Sequence, residues 1–340
     1  GTLVVIFLRH RTMRNVPNTY IFSLAIADLL VIITSVPFTS IVYTVESWPW
    51  GALICKLSET AKDISTGVSV FTLTALSADR FFAIVDPLKK LHTSSGGRKA
   101  TRVTICTAIS IWLLAILCAM PALIGSHIRK FSDDDSNLHF EVCYPFPEGW
   151  LNGKYPQVMV MSRFLVLYVI PLTIIFAFYL SMALSLITSM RNVPGEMQGM
   201  HRQIKARKKV AITVLVFVAV FAVCFAPIHA FMLFFYFNER SQELYNPFWH
   251  YLRIVGFCLC YINSCANPVA LYFVSGAFRK HFNRYLLCKR QKRPRCNTCT
   301  GQHATSMSMM STKRQSINRK STISMNRRNI AANAQETSVT

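Results

Sequence analysis

Six apolar stretches decide what this chain can fold into. They cover roughly residues 16–43, 53–85, 103–125, 158–186, 210–237 and 249–274. Each reaches the ~20 residues that a helix needs to cross hydrocarbon. In lipid no water serves the backbone, so such a stretch must satisfy its own N–H and C=O groups as a helix. Composition agrees: 52% of residues are hydrophobic and 15% charged, whereas a soluble protein carries about 25% charged residues. Residues 1–8 form an apolar stub that runs into Arg9. At ~1.5 Å per residue it covers less than half a bilayer, so it reads as the inner end of a first helix cut short. Its charges follow the apolar part and no cleavage site is visible, which argues against a signal peptide.

Basic residues set the orientation. Arg9, Arg11 and Arg14 follow the stub. Lys89, Lys90, Arg98, Lys99 and Arg102 fill the loop near 86–102, and Arg191, Arg202, Lys205, Arg207, Lys208 and Lys209 the one near 191–209. The alternate loops differ: residues 44–54 have no Lys or Arg, and residues 126–156 are acidic overall. Positive residues stay inside, so the C-terminus of this multi-pass protein is expected in the cytoplasm. The net charge of +22 raises nucleic acid as a partner. Its distribution argues against that, because the basic residues sit at inner membrane edges, where anionic lipid attracts them.

The chain divides into a membrane domain, 1–288, and a polar tail, 289–340. The tail is rich in Ser, Thr, Asn and Arg and is expected to be disordered. Just before it, Phe278, Phe282, Tyr285 and Leu286 recur at spacings of three and four, with Arg279, Lys280 and Arg284 between them. That pattern predicts a short helix lying on the membrane surface. Cys288 closes it, either as a palmitoylation site or as an ordinary reduced cysteine. Of eleven cysteines, only Cys55 and Cys143 fall clearly on the oxidising side, so they are expected to pair. Cys296 and Cys299 form a lone CxxC, a weak metal signal without a second pair.

Several strings, taken together at these separations, are specific. They are Leu24-Ala25-Ile26-Ala27-Asp28-Leu29, Asp79-Arg80-Phe81, Trp112 with Pro121, Pro171 with Tyr179, Cys224-Phe225-Ala226-Pro227, and Asn267-Pro268. Over nearly its whole length the chain resembles a rhodopsin-like (class A) G-protein-coupled receptor. The resemblance implies an all-α membrane protein: a seven-transmembrane helix bundle with a truncated first helix, plus the surface helix. Relatives have an asparagine just before the position of Gly1, which fits a partial sequence. They also have a disulfide at the position of Cys55 and Cys143.

Further strings narrow the group. Leu271 stands at the usual tyrosine position of the last motif, and Tyr272 follows it. With Arg14-Asn15-Val16-Pro17-Asn18, Asn263-Ser264-Cys265 and Pro227-Ile228-His229, this is similar to the bombesin receptor group. Phe234 to Phe237, Tyr245-Asn246-Pro247-Phe248-Trp249 and Ser275-Gly276-Ala277-Phe278-Arg279-Lys280 most resemble its arthropod branch, the CCHamide receptors.

The resemblance assigns roles. Asp28, Ser69, Asn263, Ser264 and Asn267 correspond to a sodium pocket of the inactive state; Asn263 and Asn267, four apart, share a helix face. Oxygen ligands suit a hard cation, and a hydrated polar cluster around protonated Asp28 is the other reading. Asp79, Arg80 and Phe81 form the G-protein-coupling segment. Relatives that lock the arginine with an acid on the sixth helix find no counterpart in Arg207-Lys208-Lys209, where charges are alike. Phe221, Phe225 and Pro227, with Pro171, Tyr179, Asn267, Pro268 and Tyr272, are the activation switch, since proline permits a kink.

The pocket excludes some ligands. The last span has Arg253 but no lysine for retinal, and Lys62 stands seven positions after Cys55, where amine receptors keep an aspartate. Glu59, Lys62 and Asp63 either pair among themselves on their helix or form, with His229 and Arg253, a polar pocket floor. The acidic outer loop is either simply solvated or steers a basic peptide. The implied partners are an amidated peptide, a heterotrimeric G protein of the Gq type, arrestin and membrane lipid. Ser316, Ser321 and Thr322, beside basic residues, would take phosphate. A lipid or other nonpeptide ligand is the alternative within receptors. A transporter or channel would show repeats or several intramembrane charges, and here only Asp28 reads as deeply buried, with Arg163 near the outer end of its span. An enzyme would show a paired-carboxylate, metal-spaced or nucleophile–base arrangement, and none is visible. No cofactor is expected beyond the sodium ion.

Overall fold

The computed structural model describes residues 2–9, 16–45, 47–85, 97–133, 138–147, 149–191, 198–274 and 276–286. All lie in one compact unit, Gly1–Cys288. Cys288, Cys296, Cys299, Ser316, Ser321 and Thr322 fall outside the described residues. Six helices are long and apolar enough to cross a membrane: Asn18–Ser40, Gly51–Val85, Thr101–Gly125, Tyr155–Ser185, Ala211–Phe237 and Pro247–Phe273. They match the six apolar stretches within a few residues at each end.

The stub is helical as α1 (Thr2–Arg9) and packs Phe7 on Phe22 at 5.5 Å between ring centroids. The next apolar stretch is two helices, α2 (Val16–Thr34) and α3 (Val36–Val45), broken at Ser35. Pro37 is the cause: it has no N–H to donate and it disfavours helical geometry in the residue before it. Helix α4 (Gly51–Val85) is the longest of the six candidate spans and packs against α2, α5 (Gly97–Gly125), α7 (Ile170–Arg191) and α8 (Gln198–Phe237). Its buried positions are mostly small, including Ser58, Ala61, Ser65, Gly67, Ser69 and Ser77. Small residues let helix backbones approach where lipid supplies no hydrophobic drive for association. The Ser77 hydroxyl is satisfied within the helix, by Leu73 O at 2.7 Å, and the Ser58 hydroxyl across it, by Ser35 Oγ at 3.0 Å.

The fifth span begins as α6 (Tyr155–Phe164), widens at Leu165–Val169 and continues as α7. In the widened turn Ile170 N–H donates to Leu165 O, five residues back. Pro171 follows directly and cannot donate to Leu167 O, so a wider turn relieves the clash of its ring. Prolines also lie inside α5 (Pro121), α8 (Pro227) and α9 (Pro247–Val274, at Pro268). The amphipathic pattern after the last span forms α10 (Gly276–Leu286), with Phe278 buried and Arg279 and Lys280 exposed.

The all-helical reading gains one addition. The outer loop after α5 is an antiparallel hairpin, β1 (His127–Asp133) with β2 (Leu138–Tyr144), in which Ile128 faces Cys143. The Cys55–Cys143 disulfide ties β2 to the outer end of α4. Trp48 N donates to Glu141 O at 2.8 Å, and Glu141 N to Ser47 Oγ at 3.0 Å, which fixes the hairpin to the loop after α3. The alternation of apolar and polar residues in Leu138-His139-Phe140-Glu141-Val142 is a strand signal beside the spans.

Helices α8 and α9 meet where Gly256 lies against the turn at Pro227. A Cβ on Gly256 would sit 2.7 Å from Ile228 N and 3.0 Å from its Cα. Backbone atoms cannot move aside as a side chain can, so Gly256→Ala should force the helices apart. We expect a loss of about 1–3 kcal/mol, although alanine is the better helix former. Thermal unfolding of the purified protein in detergent checks this; equal or higher stability would contradict the close approach.

Candidate functional site

Two polar sites lie inside the bundle. In the inner one, Asn267 Nδ2 donates to Asp28 Oδ2 at 2.9 Å, joining α9 to α2. Ser69 of α4 and Asn263 and Ser264 of α9 are buried as well. Asp28 Oδ1 and Ser69 Oγ are shielded from solvent and have no hydrogen-bond partner. A carboxylate oxygen and a hydroxyl left open in this way fit a hard cation bound by oxygens. Asn263 and Asn267 share one face of α9 by their spacing, and Asn267 reaches across to Asp28 of α2.

At the inner end of α4, Arg80 is buried and pairs with Asp79, while its Nε has no partner. Phe81 packs on Phe178 of α7 at 5.3 Å. Tyr179 OH donates to Ala211 O at 2.7 Å, tying α7 to the inner part of α8. Above this, Phe221 and Phe225 touch at 4.5 Å, and Phe221 stacks on Tyr168 at 6.4 Å. Tyr168 sits in the widened turn and donates to Ala222 O at 2.9 Å. It also meets His229 at 4.8 Å. A contiguous aromatic column thus runs from the widened turn to the proline of α8.

Tyr272 differs from the expected switch position. Leu271, four residues after Asn267, is buried in the bundle at 2% exposure. Tyr272 is turned about 100° away and packs instead on Phe282 of α10 at 5.5 Å, with Arg279 at 5.6 Å from its ring. Helix geometry is the reason: one residue of displacement moves the ring from the bundle to the surface-helix corner.

The outer site also departs from expectation. Glu59 and Lys62 pair along α4, but Asp63 does not join them. It pairs across to Arg163 of α6 at 2.6 Å. Asp28 is therefore not the one charge carried into the bundle. Arg163 was missed because its place near the outer end of a span looked like an ordinary interfacial arginine; only the packing of α4 on the fifth span brings Asp63 to it. Phe146, just past Cys143 and buried, lies 5.7 Å from the Arg163 guanidinium and so caps the pair from the outer loop. Lys62 lies 6.0 Å from Phe257 of α9. Arg253, one turn nearer the outer end of α9, is exposed. Tyr261 OH, also missed, is within 3.0 Å of Ser35 Oγ and 3.2 Å of Thr39 Oγ1, so it joins α9 to the break between α2 and α3. Among the described residues no cluster of His, Cys, Asp and Glu could hold a metal.

Residues 1–272 match the model of the seven-transmembrane receptor family known as the rhodopsin family. The chain belongs to that family. The family is one of receptors rather than enzymes. The receptor is 58% identical over 319 residues to the neuropeptide CCHamide-1 receptor of Drosophila melanogaster, covering 92% of the chain and 63% of that protein. It thus spans just under two thirds of that relative's length. It is 39% identical over 293 residues to the [Phe13]-bombesin receptor of Bombina orientalis, covering 86% of the chain and 73% of the relative. It is 38% identical over 295 residues to bombesin receptor subtype-3 of Ovis aries, covering 86% and 72%. The resemblance to the bombesin group and its arthropod branch agrees with these matches.

The Tyr168 hydroxyl generates a direct test. Tyr168→Phe keeps the ring and removes the bond to Ala222 O, leaving that carbonyl to its helical partner alone. A loss of about 1 kcal/mol in stability is expected, read by thermal unfolding beside Tyr168→Ala, which should lose more. Equal effects would show that the hydroxyl contributes nothing apart from the ring.

Proposed function

We propose that this receptor binds an amidated neuropeptide of the CCHamide or bombesin type and activates a heterotrimeric G protein, of the Gq class, from the cytoplasmic face of the plasma membrane. The observation that carries this is the 58% identity to a neuropeptide CCHamide-1 receptor. The outer site supports it: paired charges, His229 and many aromatics offer both polar and apolar contact to a peptide end. Glu59, Lys62, Asp63, His229 and Arg253 are its pocket residues.

Activation would be a shift between two populations rather than a new contact made from nothing. Binding at the outer site favours the state in which α8 swings about Pro227, with Phe221, Phe225, Pro171, Tyr179, Asn267 and Pro268 repacking. Movement of the inner end of α8 away from Tyr179 would open the Asp79-Arg80-Phe81 segment to the G protein. Arrestin would engage the phosphorylated tail, and palmitoylated Cys288 would add a lipid anchor to α10. Asp28, Ser69, Asn263, Ser264 and Asn267 would hold a sodium ion, whose charge compensates the buried carboxylate in the inactive state.

Two experiments check this. In cells, a panel of amidated peptides, CCHamide-1 included, should release calcium. The amide should exceed the free acid more than tenfold, about 1.4 kcal/mol or more, because a carboxylate taken out of water needs a partner of its own. Silence toward every amidated peptide, with a response to a lipid, would overturn the peptide reading. Sodium should weaken agonist binding, and Asp28→Asn should remove that effect at normal surface expression. A sodium response unchanged in the variant would overturn the ion assignment.

A further inference from the structure

The Asp63–Arg163 pair has features that an ordinary structural tie lacks. It lies eight residues beyond Cys55 along α4, about 12 Å deeper than the disulfide. It is only partly closed off, with side-chain exposures of 14% for Asp63 and 21% for Arg163. Beside it, Glu59 and Lys62 form a second pair with exposures of 15% and 25%. Four charged side chains, two of each sign, therefore line one level of the outer half. Arg163 Nε is shielded and has no acceptor. His229 and Glu59 lie within electrostatic range of Arg163.

A neutralised pair with a donor left over selects for a particular chemistry. A ligand carboxylate arriving here would find both cations of this level already paired and would lose its hydration without a partner. A ligand ammonium would find both carboxylates paired. A carboxamide suits the site: its oxygen accepts from a donor, its NH2 donates to a carboxylate oxygen, and it brings no net charge. Arg253, the exposed cation on α9, lies a turn nearer the mouth than Phe257, the residue that faces Lys62.

We propose that the Asp63–Arg163 ion pair is the specificity determinant of the outer site: it selects an uncharged carboxamide end of the peptide and rejects a charged one. This rests on the peptide reading above and names the groups that would enforce it. Asp63 and Arg163 act by compensating each other, so removing one should change the preferred ligand end in a direction set by the charge left behind.

Competition binding on membranes, with the amide and the free acid of CCHamide-1, reads the ratio of affinities. Asp63→Asn leaves the guanidinium uncompensated, so the acid should gain on the amide and the ratio fall at least tenfold. Arg163→Gln leaves the carboxylate uncompensated, so the acid should be repelled and the ratio rise at least tenfold. Asp63→Asn combined with Arg163→Gln should restore the wild-type ratio. Equal losses for both peptides, with the ratio unchanged, would make the pair a structural tie and overturn the proposal. A second measurement needs no variant and so is immune to misfolding: on the wild-type receptor, a peptide ending in an aminoethyl amide should lose at least tenfold, as the acid does, while the uncharged propyl amide of similar size, which keeps an N–H, stays within a few-fold of the amide. Tolerance of either charged end would overturn the proposal. Silence toward every amidated peptide would overturn the peptide reading instead, and so is distinguishable.

Discussion

The structure depends on how polar groups are held inside a bundle surrounded by hydrocarbon. Hydrocarbon offers no hydrogen bonds, so leaving a buried donor, acceptor or charge without a partner is costly. The outward faces are plainly apolar: Leu113, Leu117, Phe176 and Phe273 are each 63–68% exposed. The polar residues point inward and meet across helices, as Asn267 meets Asp28 and Arg163 meets Asp63. These bonds fix the relative rotation of the spans, which apolar packing alone specifies loosely. A span rotated by one residue would turn a buried charge toward lipid.

Helix α4 is the element through which these constraints meet. It carries Cys55 at the outer end, Glu59, Lys62 and Asp63 below it, Ser69 near the middle, and Asp79 and Arg80 at the inner end. Its small buried residues permit close approach by its neighbours α2, α5, α7 and α8. The departures from regular geometry lie elsewhere, at Ser35 before Pro37 and at the widened turn before Pro171, and prolines sit inside α8 and α9 at Pro227 and Pro268. A rigid central helix ringed by interrupted ones is an arrangement in which two packings can differ at small cost.

The aromatic column and the proline sites lie between the outer charged level and the inner Arg80. Tyr168 touches both His229 of the outer half and Phe221 below it. Tyr179 then ties the same span to α8 at Ala211. The fifth span and α8 are thus joined at two heights by tyrosine hydroxyls bonded to backbone carbonyls, one near the outer site and one near Arg80. Such bonds hold geometry without fixing side-chain rotamers on the partner helix, so they can break and reform as helices slide.

The sequence by itself determined the number of long spans, their limits, the surface helix and the disulfide, because each follows from a local signal: a run of apolar residues, a three-and-four spacing, or a side of the membrane. It also placed Asn263 and Asn267 on one face of α9, since residues four apart on one helix share a face whatever packs against them. The hairpin was legible only weakly, because its alternating residues lie within a loop that the spans overshadow. Tertiary structure alone decided that Asp63 pairs with Arg163 rather than with Lys62, since those residues lie 100 positions apart and only the packing of α4 on the fifth span joins them. It likewise decided that Tyr272 faces α10 and Leu271 the bundle, because which side of a helix becomes the inside depends on the neighbours it packs against.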